Sequence, residues 1–248
     1  MRTSQVKNLA LLLVGSLLFS LPQTSRAQLT LPEGFNPNSV LTDDDIFNAH
    51  GLSFERLVTF LRSRGTLADY STRDIDGSVK SAPDIIWRVA QSYKINPKYL
   101  QTLIQKEQSL VEDRSPEQSQ YDWAAGFGVC DSCRMDDPAI QDFKGFAAQL
   151  EWAAKQHREK YLIQLLSRGT TISGQSAGKT VMIDGLAVTP ANKATAMLYS
   201  YTPHIHGNLN LWKIWQRWFS LRYPEGTVVR ASQSGKTYIL RMGEKRPY

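Results

Sequence analysis

Apolar residues recur at three- and four-residue spacing in several stretches of this chain, and each predicts an amphipathic helix. Phe54, Leu57, Val58 and Leu61 make one face, opened by Ser53 and stopped by Gly65. Ile85, Ile86, Val89, Ala90 and Tyr93 make a second, after Ser81-Ala82-Pro83-Asp84. A third runs from Asn96 to Val111, with Asn96 as N-cap, Pro97 in the first turn, and Leu100, Leu103, Ile104, Leu110 and Val111 as its face. Asp137-Pro138 starts a fourth, buried through Phe143, Phe146, Ala147, Leu150, Ala153 and Ala154, and Tyr161 to Leu166 extends it or begins the next turn. Thr189-Pro190 precedes ANKATAMLYSY, which Pro203 stops, and LWKIWQRWFSL forms a last aromatic helix from Leu211 to Leu221.

Two stretches change period. Thr180 to Val188 reads TVMI-DG-LAV, two short β-type runs around an Asp-Gly turn, and predicts a hairpin. The tail GTVVRASQSGKTYILRMGEKRPY alternates in short runs and predicts a small β-type module or repeat. Gln28 to Val40 is rich in Pro and Asn and reads as a linker, Thr42 with Asp45 makes a short capping signal, and Thr66 to Lys80 reads as an extended connection. The expected organisation is residues 1–27 as a leader, 28–80 as a linker with short helices, 81–223 as the main helical domain, and 224–248 as the β-type tail. The fold class is mainly α, of the α+β kind.

Composition adds a compartment. Hydrophobic content of 42% and charged content of 21% are ordinary for a globular chain. Arg2 and Lys7, an apolar run from Leu9 to Leu21, and Ser25-Arg26-Ala27 have the order of a secretory signal peptide. Cleavage after Ala27 removes three cations and no acids, lowering the formal charge from +6 to +3. The mature chain is then mildly basic, suited to anionic envelope polymers and not to nucleic acid. Secretion into the periplasm or cell envelope is expected, without a transmembrane segment after cleavage, and as a monomer.

The candidate chemistry is sparse. Cys130 and Cys133 lie in GFGVCDSCRMDD, where a local disulfide outranks zinc, which lacks two further ligands, and a thioredoxin-type redox pair. Two histidines, His204 and His206, are too few for a metal site, and no cofactor motif is present. Trp212, Trp215 and Trp218 read as core packing. Glu107 stands out because it falls on the apolar stripe of the third helix, four residues after Leu103 and three after Ile104. A carboxyl there is either paired at the stripe's edge or half-desolvated, the state a general acid near neutral pH requires.

The order of these pieces carries a resemblance. NPKYLQTLIQKEQSL resembles the catalytic helix of soluble lytic transglycosylases and goose-type lysozymes, of the form N-P-x-L-[LV]-x-[AL]-[LI]-x-x-E-S. AAGFGV stands where that lysozyme-like superfamily has a glycine-rich cleft segment, and Asp137-Pro138-Ala139-Ile140 resembles its D-P-x-x-N-I helix start. Ala196 to Pro203 resembles its A-x-x-Y-N-A-G-P stretch, with Ser200 for the usual Asn. Gln108 replaces the Ser that follows the acid, and the C-x-x-C loop and hairpin are additions. The tail resembles short K-x-Y-x-[IL]-x-x-G-x-[KR] repeats of envelope proteins.

The resemblance implies a secreted enzyme cutting the β-1,4 glycan strands of peptidoglycan by lytic transglycosylation. Glu107 would be the single acid and base; Tyr199 or Tyr201 would hold it or the substrate acetamido group; Tyr121 and Phe127 would line sugar subsites. A hydrolytic N-acetylglucosaminidase or muramidase on the same fold is the alternative. It needs a second carboxylate, for which Asp122, Asp131, Asp136 and Asp137 are available. A catalytically inactive cell-wall binding or adhesion module is the other.

Overall fold

The computed structural model describes residues 31–129, 134–220, 226–231, 234–241 and 244–248. The signal-peptide segment 1–27 and the Cys130–Cys133 pair lie outside the described residues. Contacts divide the chain into Met1–Glu33 and one compact unit, Gly34–Tyr248, and the latter is mainly α with small antiparallel sheets.

Its helices are α1 (Asp43–Phe47), α2 (Phe54–Arg62), α3 (Ala82–Tyr93), α4 (Pro97–Gln108), α5 (Gln118–Asp122), α6 (Pro138–Gln141), α7 (Phe146–Lys155), α8 (Ile163–Arg168), α9 (Lys193–Tyr201) and α10 (Ile205–Phe219). Hairpins β1 (Ser71–Arg73) with β2 (Val79–Ser81) and β3 (Val181–Ile183) with β4 (Leu186–Val188) interrupt the helices. The tail forms a three-stranded antiparallel sheet of β5 (Val228–Arg230), β6 (Thr237–Arg241) and β7 (Glu244–Pro247), in that order.

Most starts follow from capping. Ser53, Ser81, Asn96 and Asn192 each accept a bond from an amide in the first turn of their helix, and Thr42 and Asp45 close a reciprocal capping box on α1. Several boundaries differ from the sequence pattern. α4 stops at Gln108 because Ser109 turns left-handed, so Leu110 and Val111 are buried in the turn beyond it. The fourth helix is broken: α6 is one turn, and Gly145 (φ 105°) restarts the chain as α7. From Gln156 to Leu162 the helix widens into a π-turn joining α7 to α8. The Thr66–Lys80 connection holds a 3₁₀ turn (Leu67–Asp69) and the β1–β2 hairpin. The last helix starts six residues early, at Ile205.

The linker reading of 28–40 also changes. From Phe35 onward these residues are part of the packed unit. Phe35 is buried edge-on against Trp212, the Tyr199 hydroxyl donates to Pro37 O (3.0 Å), and Asn38 accepts from the amides of Thr189 and Ala191 (2.7 Å each). A Pro- and Asn-rich stretch reads as unstructured because its order comes from partners more than 150 residues away.

α4 is the central helix, packed against α3 and α10. Every residue from Tyr99 to Gln105 is buried. Around it, two charge networks join distant segments. Arg88 grips the buried Asp74 with two bonds of 2.8 Å and reaches Glu151 Oε2 at 2.8 Å, tying the first hairpin to α3 and α7; Lys80 adds a third bond to Asp74. Burial pushes the Asp74 carboxyl up, but the bonds from Arg88 and Lys80 outweigh it and hold it below the usual range. Glu112 accepts from Arg64 (3.4 Å), Arg217 (2.7 Å), Trp218 Nε1 (3.0 Å) and Gln105 Nε2 (3.2 Å), pinning the turn after α4 to α10.

Removing Arg88 strands a buried carboxylate. Arg88→Ala is expected to cost about 3–5 kcal/mol in denaturant unfolding, the range for breaking a buried pair from one side. A loss below about 1 kcal/mol would show that Lys80 alone satisfies Asp74.

Candidate functional site

The C-terminal turn of α4 delivers Lys106 and Glu107 to the wall of a cleft of about 510 Å³. Opposite lie Gly126, Phe127, Gly128 and Val129, then Gln156 and Tyr161 from the π-turn, and Tyr201, Thr202, Pro203 and His204 from the corner between α9 and α10. Lys106 Nζ bonds Glu107 Oε1 at 2.7 Å and Thr202 Oγ1 at 2.9 Å. The Glu107 side chain is 19% exposed and that of Lys106 is 10%.

The second carboxylate oxygen, Oε2, faces the glycine segment. A Cβ on Gly126 would stand 2.9 Å from Oε2, and φ is +64° there, so only glycine lets the chain pass this close. Gly128 is as tightly placed: its Cβ would be 2.3 Å from the Phe143 ring.

Gln149, fully buried on α7, holds the segment in place. Its Oε1 accepts from the amides of Ala125 (3.2 Å) and Phe127 (2.9 Å), while Nε2 donates to Phe127 O (2.9 Å) and Phe143 O (2.8 Å). Beside it an aromatic group forms. The Phe127 and Trp152 rings are nearly parallel, 13° apart with centroids at 6.0 Å, and Phe143 meets both edge-on. Trp152 stays 37% exposed, one helical turn before Gln156 of the cleft.

Under the cleft lies a buried relay. His157 Nδ1 is 2.6 Å from Ala153 O, and since a carbonyl only accepts, that nitrogen carries the proton. Nε2 then accepts from the Tyr99 hydroxyl at 2.9 Å. Burial lowers the His157 pKa from 6.5 to about 4, so the ring is neutral at pH 7. Tyr201 packs on His157 with centroids 4.5 Å apart and donates to Ala125 O at 2.8 Å. Burial, with the nearby Glu107 charge, raises its hydroxyl pKa well above 10. It is a neutral donor at any working pH.

Of the residues singled out in the sequence, Glu107, Phe127 and Tyr201 therefore share one cleft. Tyr121 does not line it: the ring is buried and stacks on Tyr70, centroids 3.7 Å apart. Nor does Tyr199. The side that would face the cleft belongs to Tyr201, two residues on, while Tyr199 points to Pro37 on the opposite side of α9. Ser200 bonds Ala196 O and Thr171 Oγ1.

The second-carboxylate candidates are also elsewhere. Asp122 meets Gln118 and Lys144, Asp136 meets Arg134 on the surface, Asp137 caps α6, and Asp131 lies outside the described residues. Among the described residues Glu107 is the carboxylate that lines the cleft. Sequence reading missed Lys106, Thr202, Gln149 and His157. A buried Gln and His on the apolar face of α7 and its extension were the available signal for the last two.

Comparison with known families then places the chain. Residues 39–223 match the family described as LasA, N-terminal domain. The chain belongs to that family. No curated protein and no solved structure matches it. Membership in the LasA N-terminal domain family supports a secreted, cell-wall-related protein. The match spans α1 to α10, including the whole cleft, and stops before the β5–β7 sheet. No helix among the described residues is long and apolar enough to cross a membrane.

Two measurements check this architecture. An unfolded histidine binds protons below pH 6.5 that folded His157 refuses until about pH 4. Stability should therefore fall as pH drops through that window, by on the order of 3 kcal/mol, and level off below it. His157→Gln should flatten the slope in chemical denaturation across pH 4–7. Gln149→Leu should leave the Ala125 and Phe127 amides unpaired, costing several kcal/mol and speeding hydrogen exchange at both positions; unchanged exchange would show that the segment holds itself.

Proposed function

We propose that the cleft binds a peptidoglycan glycan strand and that Glu107 cuts its β-1,4 bond as acid and then base, on a lysozyme-like helical scaffold. The observation supporting this is the position of Glu107 Oε2, which faces the glycine segment within the cleft while Oε1 is held by Lys106. With no other carboxylate lining the cleft among the described residues, the chemistry that fits is the kind that needs one.

The reaction runs on the substrate's own groups. A proton on Oε2 passes to the glycosidic oxygen as the bond from C1 breaks, and the sugar's N-acetyl oxygen stabilises the positive charge at C1. The 6-hydroxyl oxygen then bonds to C1, its proton returns to Oε2, and the product is a 1,6-anhydro sugar. Tyr201, a neutral donor anchored to Ala125 O, fixes the backbone beside the acid. Phe127 offers a ring face to a neighbouring sugar.

A second reading rests on the Lys106 ammonium. Held at 2.7 Å from Oε1 and tied to Thr202, it makes Glu107 one half of an ion pair. An ion pair of this kind suits a site that binds glycan without cutting it.

Mass spectrometry of peptidoglycan digested by the mature chain and by Glu107→Gln separates the readings. Anhydro-muropeptides from the first and a loss of at least 100-fold in the second are expected, in the range attributed to general acid catalysis. Reducing ends in place of anhydro products would make the reaction hydrolysis. Saturable glycan binding by both proteins with no product from either would establish the binding module.

A further inference from the structure

The positive charge of this chain is segregated. Residues 226–248 carry five Lys or Arg and one acid, Glu244, whereas residues 28–225 carry 21 Lys or Arg and 22 Asp or Glu. The helical body is thus close to neutral, and the tail sheet holds the excess.

The strand register concentrates that excess on one face. Val228 pairs with Ile239, and Ile239 with Arg246, so these three share a face; alternation adds Arg230, Thr237 and Arg241. Each strand therefore contributes one arginine: Arg230 from β5, Arg241 from β6, Arg246 from β7. All three are exposed. In the register Arg241 pairs with Glu244. The other face carries Val229, Tyr238 and Leu240, with the Lys245 ammonium over the Tyr238 ring at 5.2 Å.

Spacing decides what such a face can hold. Strands stand about 4.8 Å apart and alternate residues about 6.8 Å, which places Arg230 and Arg246 about 12 Å apart and Arg246 and Arg241 about 8 Å apart. These are backbone separations, and side chains rising from them present three points of charge spread along the face. A linear chain with a charge at every repeat can meet all three. Arginine forks bind phosphate oxygens bidentately, and exposed side chains suit a flexible ligand.

We propose that the β5–β7 sheet is a docking surface for a linear phosphodiester polyanion, holding the protein at an anionic envelope polymer independently of the cleft. Arg230, Arg241 and Arg246 are its contacts, and binding is by charge.

Binding of the mature chain to poly(glycerol phosphate), measured by calorimetry at 50 and 200 mM salt, tests this. Saturable binding that weakens roughly 20- to 40-fold over that range is expected for three phosphate contacts. The triple variant Arg230→Gln, Arg241→Gln, Arg246→Gln should lose at least tenfold at 50 mM with unchanged circular dichroism. Lys160→Gln with Arg168→Gln, exposed cations on the helical body, should bind as the parent does. No binding at 50 mM, equal losses in both variants, or full binding by the triple variant would overturn the proposal. Equally tight binding of poly-glutamate would overturn the phosphate assignment.

Discussion

A helix buried on every side must satisfy its own polar side chains inside the fold, and α4 is under that constraint. Its middle carries Tyr99, Gln101, Thr102 and Gln105, none of which reaches water freely. Gln101 and Thr102 fold back on the carbonyls of Pro97 and Lys98; Tyr99 finds His157, and Gln105 finds Glu112. The first two stay within α4, leaving Gln101 Oε1 buried without a partner, and the last two each recruit another element. His157 is available because α7 continues as a π-turn, a feature often met at functional sites. Glu112 is held by Arg64 and by two residues of α10. The position of Glu107 follows from these commitments, since it and Lys106 are the first residues past the buried stretch and both line the cleft.

The cleft is made of pieces that differ in what fixes them. α4 is set by burial and the glycine segment by four hydrogen bonds to one side chain, Gln149. The corner at Thr202 to His204 is set by Lys106 on one side and by Asp184 on the other. Asp184, left-handed at φ 50° in the β3–β4 turn, accepts from the Ile205 amide and from His204. The hairpin thus serves as a stop for the start of α10. Its own exposed apolar residue, Met182, points away.

Features carried by local chemistry were legible in the sequence. Capping residues placed helix starts, Asp-Gly placed the second hairpin, and Glu107 was visible as a carboxylate on an apolar stripe. What was not legible depended on distant partners. Nothing near Phe35 announces Trp212, and nothing near Asp74 announces Arg88, whose pairing turns a polar connection into a hairpin docked on the core. Tyr199 and Tyr201 differ by two positions on one helix, about 200° of rotation. A motif match aligned to the first therefore reaches the tyrosine that bonds Pro37, and the second is the one that lines the cleft with Glu107. Tyr121 shows the same limit, because a ring beside a glycine segment can stack inward, as it does on Tyr70, as easily as outward.

Gln149 has a consequence for how this site can vary among relatives. Its amide reads only main-chain atoms of the segment beneath it, so it is blind to the side chains carried at Phe127 and Val129, which line the cleft. Those positions can be exchanged, altering the wall of the cleft, without rebuilding the turn that presents them. The glutamine has no such freedom. The lining of the cleft and the shape of the loop are thereby set separately, the first by half-buried side chains and the second by one buried amide on a different helix.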